Sequence, residues 1–207
     1  MSDPGPAFLA LDPGAWLGGA IQAAKDEVRA LAGSQRYLED PPHLTLFVGV
    51  FTDRSAVPAV LAGAVPEAPS IGVQGWHVFR DDPLTGGHTL VAALDPAGMA
   101  PLRRLQAAAL ATVAPLRDLR ASRDRYAAVH DRLSPVRQAS LDRHGFPFTG
   151  DDWHPHVSVA SIAALAWDPV WSALAARAPH GTARMPALVW YALDGDRPRR
   201  LAEVPLP

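Results

Sequence analysis

The sequence predicts an α+β fold of two pseudo-symmetric lobes, each an antiparallel sheet with helices packed outside, and a central cleft between them. Three observations predict it. Short apolar runs rich in β-branched and aromatic residues alternate with segments of helical period. A strand-to-helix junction through Leu-Asp-Pro occurs twice, in "LALDPGAWL" (9–17) and "AALDPAGMAPL" (92–102). And "PPHLTLFVGV" (41–50) returns in altered form as "WHPHVSVASI" (153–162). The chain therefore reads as a single bilobal domain over 1–207. A strand–helix–strand–helix–strand unit is used twice, at roughly 7–87 and 88–207, with a final hairpin strand added.

Each element has its own justification. "FLALD" (8–12) reads as a strand, and Pro13 then suits a helix start, where its missing N–H costs nothing. Trp16, Ala20, Ile21, Ala24, Val28 and Leu31 follow a helical period up to Gly33, a plausible stop. His43 to Phe51 reads as a strand, and a Pro-interrupted helix follows at about 54–64. "SIGVQGWHVF" (70–79) and "HTLVAALD" (88–95) are strands joined by the turn "RDDPLTGG". Then come a helix at 99–116, a strand at 154–162 and a helix at 168–178. The strands "ALVWYALD" and "RRLAEVPL" close the chain around Gly195-Asp196. Trp76 lies 33 residues after His43 and Trp190 lies 34 after His156, which makes them equivalent core positions.

The two units differ in one place. Leu11 to His43 spans 32 residues, whereas Leu94 to His156 spans 62. The second unit thus carries about 30 extra residues, placed within 117–150. That insert holds seven Arg against four Asp. It is expected to contain a short helix, "SPVRQASLDRHG", and a turn through "GFPFTG".

Composition narrows the chemistry. With no cysteine, disulfides, thiolate metal sites and cysteine nucleophiles are excluded. The formal net charge of −2 carries no large footprint for duplex nucleic acid, though a nucleotide or an RNA end needs only a few local contacts. No apolar run approaches the ~18 residues of a membrane span. The N-terminus lacks the basic region and cleavage site of a signal peptide, so a cytoplasmic location is expected. No obligate protein partner is evident. No GxGxxG, P-loop or GxSxG motif occurs.

What remains is histidine. His-x-Ser/Thr occurs three times, at His43, His156 and His180, against about 0.7 expected by chance. In "PHGT" the middle residue is Gly and no apolar alternation follows, so His180 reads as a loop accident. The other two sit on strands at equivalent places. Residues i and i+2 of a strand share a face, so His43 projects with Thr45 and His156 with Ser158. If the units are related by a pseudo-twofold axis, two imidazoles and two hydroxyls can meet in one cleft. Such a space suits a phosphodiester. One neutral His takes a proton from the nucleophile, the other delivers one to the leaving oxygen, and the hydroxyls donate to the non-bridging oxygens. The competing view is a pair of core histidines tied up beside strand hydroxyls.

"HLTLFVG" and "WHPHVSVA" resemble the two signature motifs of the 2H phosphoesterase superfamily, in particular its 2′–5′ RNA ligase-like and cyclic phosphodiesterase branch. The resemblance covers nearly the whole chain. It implies a metal-independent hydrolase with no cofactor, acting in RNA processing on 2′,3′-cyclic phosphates or 2′–5′ linkages at RNA or nucleotide ends. By position it implies that His43 and His156 are the catalytic pair and that Thr45 and Ser158 are phosphate-binding. The insert is similar to a segment of a related branch linked to phosphonate metabolism, where a "GYPY"-like turn precedes the second motif.

Other features stay open. His154 and His156 form His-x-His with Asp151 and Asp152 just upstream, a spacing that can hold Zn²⁺ in a metal-dependent hydrolase. The repeat favours the other reading, a cleft-edge residue that can contact substrate, because the first-half counterpart of His154 is Pro41. Phe148 and Trp153 can stack a base or pack the insert, and the insert's arginines can clamp phosphates or form a solvated face. A nucleotide- or RNA-end-binding module without turnover is the remaining alternative.

Overall fold

Both Leu-Asp-Pro junctions fold the same way. The Asp12 carboxylate accepts from the Gly14 N–H at 2.7 Å, and the Asp95 carboxylate from the Ala97 N–H at 2.9 Å. Each Asp thus turns its strand into the helical segment that follows it. The computed structural model describes residues 2–62, 67–82, 84–195 and 197–207. Residues 63–64 of the expected second helix, Pro83 of the 80–87 turn and Asp196 of the last turn lie outside the described residues.

The elements run in the order β1 (Gly5–Leu11), α1 (Gly14–Ala32), β2 (Leu44–Phe51), α2 (Val57–Ala62), β3 (Ser70–Phe79), β4 (His88–Leu94) and α3 (Met99–Val113). The insert contributes β5 (Arg117–Asp118), α4 (Leu119–Asp124) and α5 (Pro135–His144). Then follow β6 (His156–Ile162), α6 (Trp167–Leu174), β7 (His180–Arg184), β8 (Ala187–Asp194) and β9 (Arg197–Pro205). The expected strands and main helices are present within a few residues of their limits.

The sheet order is β7-β3-β4-β6-β2-β1-β8-β9, with β5 on β2. Pairing is antiparallel throughout. At its middle, β2 and β6 pair only through Leu44 and Val157 among the described residues. Outward from this seam one half reads β2-β1-β8-β9 and the other β6-β4-β3-β7, so each half takes strands from both sequence units. The crossing strands carry the matched tryptophans. Trp190 faces Leu9 of β1, and Trp76 faces Ala92 of β4. Each indole donates to a backbone carbonyl, Trp190 to Arg54 at 3.0 Å and Trp76 to Leu174 at 2.9 Å. Trp190 is buried, while Trp76 is half-buried against the core.

The helices cross as well. α1 packs on β6, β7 and α6, and α3 packs on β2 and α2. Strand alternation sends Ala7, Leu9 and Leu11 into the main core and Phe8 and Ala10 to the other face, with Val189 and Tyr191. That second face looks into the cleft.

Two expectations need correcting. His180 opens β7, which pairs with β3, rather than lying in a loop; its segment is an exposed edge strand, so it shows no apolar alternation. On α1, Trp16 and Leu31 are 46% and 44% exposed, because the buried stripe is Leu17, Ile21, Ala24, Lys25 and Val28. Trp16 leans instead on Gly181 of β7. In the insert, α5 has the expected limits. The Ser134 hydroxyl caps it by accepting from the Arg137 N–H, and Gly145 stops it at φ 69°. A Cβ at Gly145 would sit 2.5 Å from Ser122, so glycine is required there on two counts. No helix among the described residues is long and apolar enough to cross a membrane.

The seam is the most exacting joint in the sheet. Leu44 is fully buried, and Leu44→Ala is expected to destabilise the fold by about 2–5 kcal/mol in a urea unfolding titration.

Candidate active site

The seam decides which side chains face the cleft. Leu44 and Val157 point into the core, so their neighbours His43, Thr45, His156 and Ser158 point the other way. The antiparallel register that pairs Leu44 with Val157 sets His43 opposite Ser158 and Thr45 opposite His156. All four line one cavity of about 1130 Å³. Sequence reasoning placed these residues together, and the fold does so.

Both imidazoles are held alike. His43 Nδ1 lies 2.7 Å from the Pro41 carbonyl, and His156 Nδ1 lies 2.7 Å from the His154 carbonyl. A carbonyl only accepts, so each Nδ1 carries the proton and each neutral ring has its lone pair on Nε2. His154 itself is exposed at the cleft edge and acts here through its backbone, the counterpart of Pro41 in the first half. Aromatic rings flank the pair. Phe8 lies 4.8 Å from His43 and Phe79 lies 5.1 Å from His156, centroid to centroid.

This setting resists protonation. Burial is the main cause holding His43 down to about 4, against a partial offset from the Pro41 carbonyl, with Lys25 and His156 adding repulsion. His156 is also lowered, first by burial, but Asp82 acts in the opposite direction.

The cleft is locally cationic. Among the described residues, Lys25, Arg36, Arg80, Arg125, Arg132, Arg137 and Arg197 line it, against the carboxylates of Glu39, Asp40 and Asp82. Seven cations over three carboxylates among the described residues stand out in a chain whose net charge is −2. Asp82 is engaged by the Thr89 hydroxyl at 2.7 Å and the Leu84 N–H at 2.9 Å, and Glu39 pairs with Arg29 at 3.0 Å.

The insert forms one wall. Tyr126, Phe146 and Phe148 line the cavity, and the Arg137 guanidinium lies 5.2 Å from the centre of the Phe148 ring while pairing with Asp152. Trp153 reaches the wall but is only 4% exposed, so most of its ring packs the core. Among the described residues, no group of three His, Cys, Asp or Glu is arranged to hold a metal ion. The carboxylates upstream of His154 face arginines, Asp151 with Arg103 at 3.4 Å and Asp152 with Arg137.

Sequence reasoning missed two buried polar side chains beside this site, Lys25 on α1 and Gln106 on α3, each 1% exposed. The signal was available. Each interrupts the apolar stripe of an amphipathic helix, and Lys25 is the one lysine among 19 basic residues.

The model of the 2′-5′ RNA ligase superfamily matches residues 17–197. None of the curated proteins matches the sequence. Among solved structures, TT0787 of Thermus thermophilus is similar at a TM-score of 0.57 and 17% identity, over 97% of each chain. E. coli LigT complexed with 3′-AMP is similar at 0.53 and 16%, over 99% of each. Kluyveromyces marxianus Usb1 stands at 0.50 and 13%, over 97% of this chain and 98% of that one. At such identities the likeness is one of fold.

The depressed histidines carry a stability signature. The unfolded chain takes up protons near pH 6.5, whereas folded His43 resists until about 4. The neutral rings thus favour the fold above about pH 6.5, and this contribution is lost as pH falls towards 4. Urea unfolding between pH 7.5 and 4.5 is expected to show that loss, with a shallower slope in the double variant His43→Asn, His156→Asn.

Proposed function

The chain belongs to the 2′-5′ RNA ligase superfamily, and from that premise we propose that it is a two-histidine phosphodiesterase. Its substrates in this reading are 2′,3′-cyclic phosphate or 2′–5′ phosphodiester ends of RNA or nucleotides, and the reaction needs no metal. The observation that carries the reading is the seam. Two imidazoles with matching Nδ1 partners and two strand hydroxyls face a single cationic cleft. LigT structures complexed with 3′-AMP, ATP and NADP+ add support for a nucleotide ligand. One bilobal domain of two units, about 7–87 and 88–207, accounts for the paired layout.

For a cyclic phosphate, water attacks phosphorus and passes a proton to Nε2 of His43. One ring P–O bond breaks, and His156 gives its Nε2 proton to the departing ribose oxygen. The product is a phosphomonoester with a free neighbouring hydroxyl. We assign His43 as the base, since its ring is in the neutral form when substrate arrives, and His156, whose charged form Asp82 favours, as the acid. His156 acts from its protonated form, which burial disfavours in the free protein and which a bound phosphate anion favours. Thr45 and Ser158 donate to the non-bridging oxygens as charge builds there. Phe148 and His154, and the edge of Trp153, offer contacts to the base or ribose.

Hydrolysis of a panel of 2′,3′-cyclic nucleotides in excess EDTA tests the reading. His43→Ala and His156→Ala, each shown to be folded, should each lose about 10²–10⁴-fold in turnover. Thr45→Val and Ser158→Ala should each lose roughly 10–10³-fold. Loss of wild-type activity in EDTA that zinc restores would overturn the metal-free mechanism. Binding of nucleotides with no turnover would make the protein a binding module instead.

A further inference from the structure

The two halves of the cleft are built alike, yet acid–base catalysis needs two unlike histidines. The carbonyl that orients each ring lies on a loop, and each loop is clamped by a helix. On the His43 side the loop is 33–42. Lys25 of α1 donates to the Tyr37 carbonyl, and Arg29 of α1 binds the Leu38 carbonyl and Glu39. Tyr37 sits at φ 72°, a conformation that a non-glycine residue adopts only when held. On the His156 side, Gln106 of α3 donates to the Phe148 carbonyl at 3.0 Å and accepts from the Gly150 N–H at 3.2 Å, and it also donates to the Leu46 carbonyl of β2 at 2.9 Å. Arg103 of α3 binds the Gly150 and Asp151 carbonyls. Each helix thus supplies one buried polar residue and one arginine. The difference is charge: Lys25 is an ammonium and Gln106 is neutral.

We propose that Lys25 and Gln106 are matched positioning residues for the two histidines, and that the Lys25 charge, added to burial, helps make the rings unlike by favouring the neutral, proton-accepting form of His43. This rests on the two-histidine reading for its catalytic consequence, but the electrostatic part stands without it. The charged and titratable groups around His43 are Lys25 of α1, His156 of β6 and Tyr191 of β8, whose ring lies 6.0 Å away. Around Lys25 are Arg29 of α1 and the acidic Glu39 and Asp40 of the loop. Around His156 are Asp82, His77 and His154. Burial lowers Lys25 itself to about 8, so it is mainly charged at neutral pH. A mere filler at this place would not need a charge.

The test is the NMR titration of His43 in the free protein, alongside the pH profile of kcat/KM for a cyclic nucleotide. In Lys25→Met the His43 midpoint should rise by about half a pH unit or more. The acid limb of kcat/KM should move up with it while the basic limb stays. Gln106→Leu should lower kcat at all pH values and leave the His43 midpoint in place. Should Lys25→Met not fold, Lys25→Gln, which keeps a donor for the Tyr37 carbonyl, carries the same measurement. An unmoved His43 midpoint in a folded, uncharged variant overturns the proposal, whatever the activity. A moved midpoint in a protein without turnover on any cyclic phosphate upholds it and refutes the phosphodiesterase reading instead.

Discussion

A single backbone pairing governs this molecule. Leu44 and Val157 join the two halves of the sheet, and both side chains are fully buried. Because strand side chains alternate, burying these two turns His43, Thr45, His156 and Ser158 outward together. A slip of one residue would bury the histidines and expose the leucine, so the core itself enforces the register. The brevity of the seam matters as much as its register. A full ladder between β2 and β6 would close the halves on each other, whereas one pair lets them diverge around a cavity of about 1130 Å³.

The twofold likeness reaches beyond the histidines. It includes the Asp turns that start both helical segments, the tryptophans that cross between halves, and the carbonyls of Pro41 and His154. Such a scaffold delivers two equivalent rings, which is only half of what the proposed proton transfers demand. In that mechanism the departures from symmetry set the two roles apart. Lys25 holds one loop and the neutral Gln106 the other, and Asp82 is the acidic group that acts on His156, whereas Lys25 and His156 act on His43.

Much of this was legible in the sequence because it is local. The caps of α5, Ser134 and Gly145, mark its ends, and the spacing from each histidine to its tryptophan marks equivalent strands. What was not legible depends on partners far along the chain. β7 carries no apolar alternation, since its exposed edge needs only Ala183 inside, and β3 alone makes it a strand. Trp16 follows the helical period yet stays near the surface, because its support is Gly181. Periodicity identifies a face but not what covers it.

Charge shows the same limit. A net −2 over the chain argues against a broad electrostatic footprint, and that inference concerns the whole surface. The fold then gathers seven cations around one cavity, some from the insert (Arg125, Arg132, Arg137) and others from distant loops and strand ends (Arg36, Arg80, Arg197). Carboxylates in the cavity are already engaged: Asp82 by the hairpin between β3 and β4, Glu39 by Arg29. An anion entering this space meets an excess of cationic over acidic side chains among the described residues, in a partly enclosed setting where a charge–charge interaction is stronger than in bulk water. The same anion relieves the penalty on protonating His156. In the proposed mechanism, substrate binding and the readiness of the acid are thereby coupled: the free protein keeps both rings disposed to be neutral, and an arriving phosphate favours the charged form of His156.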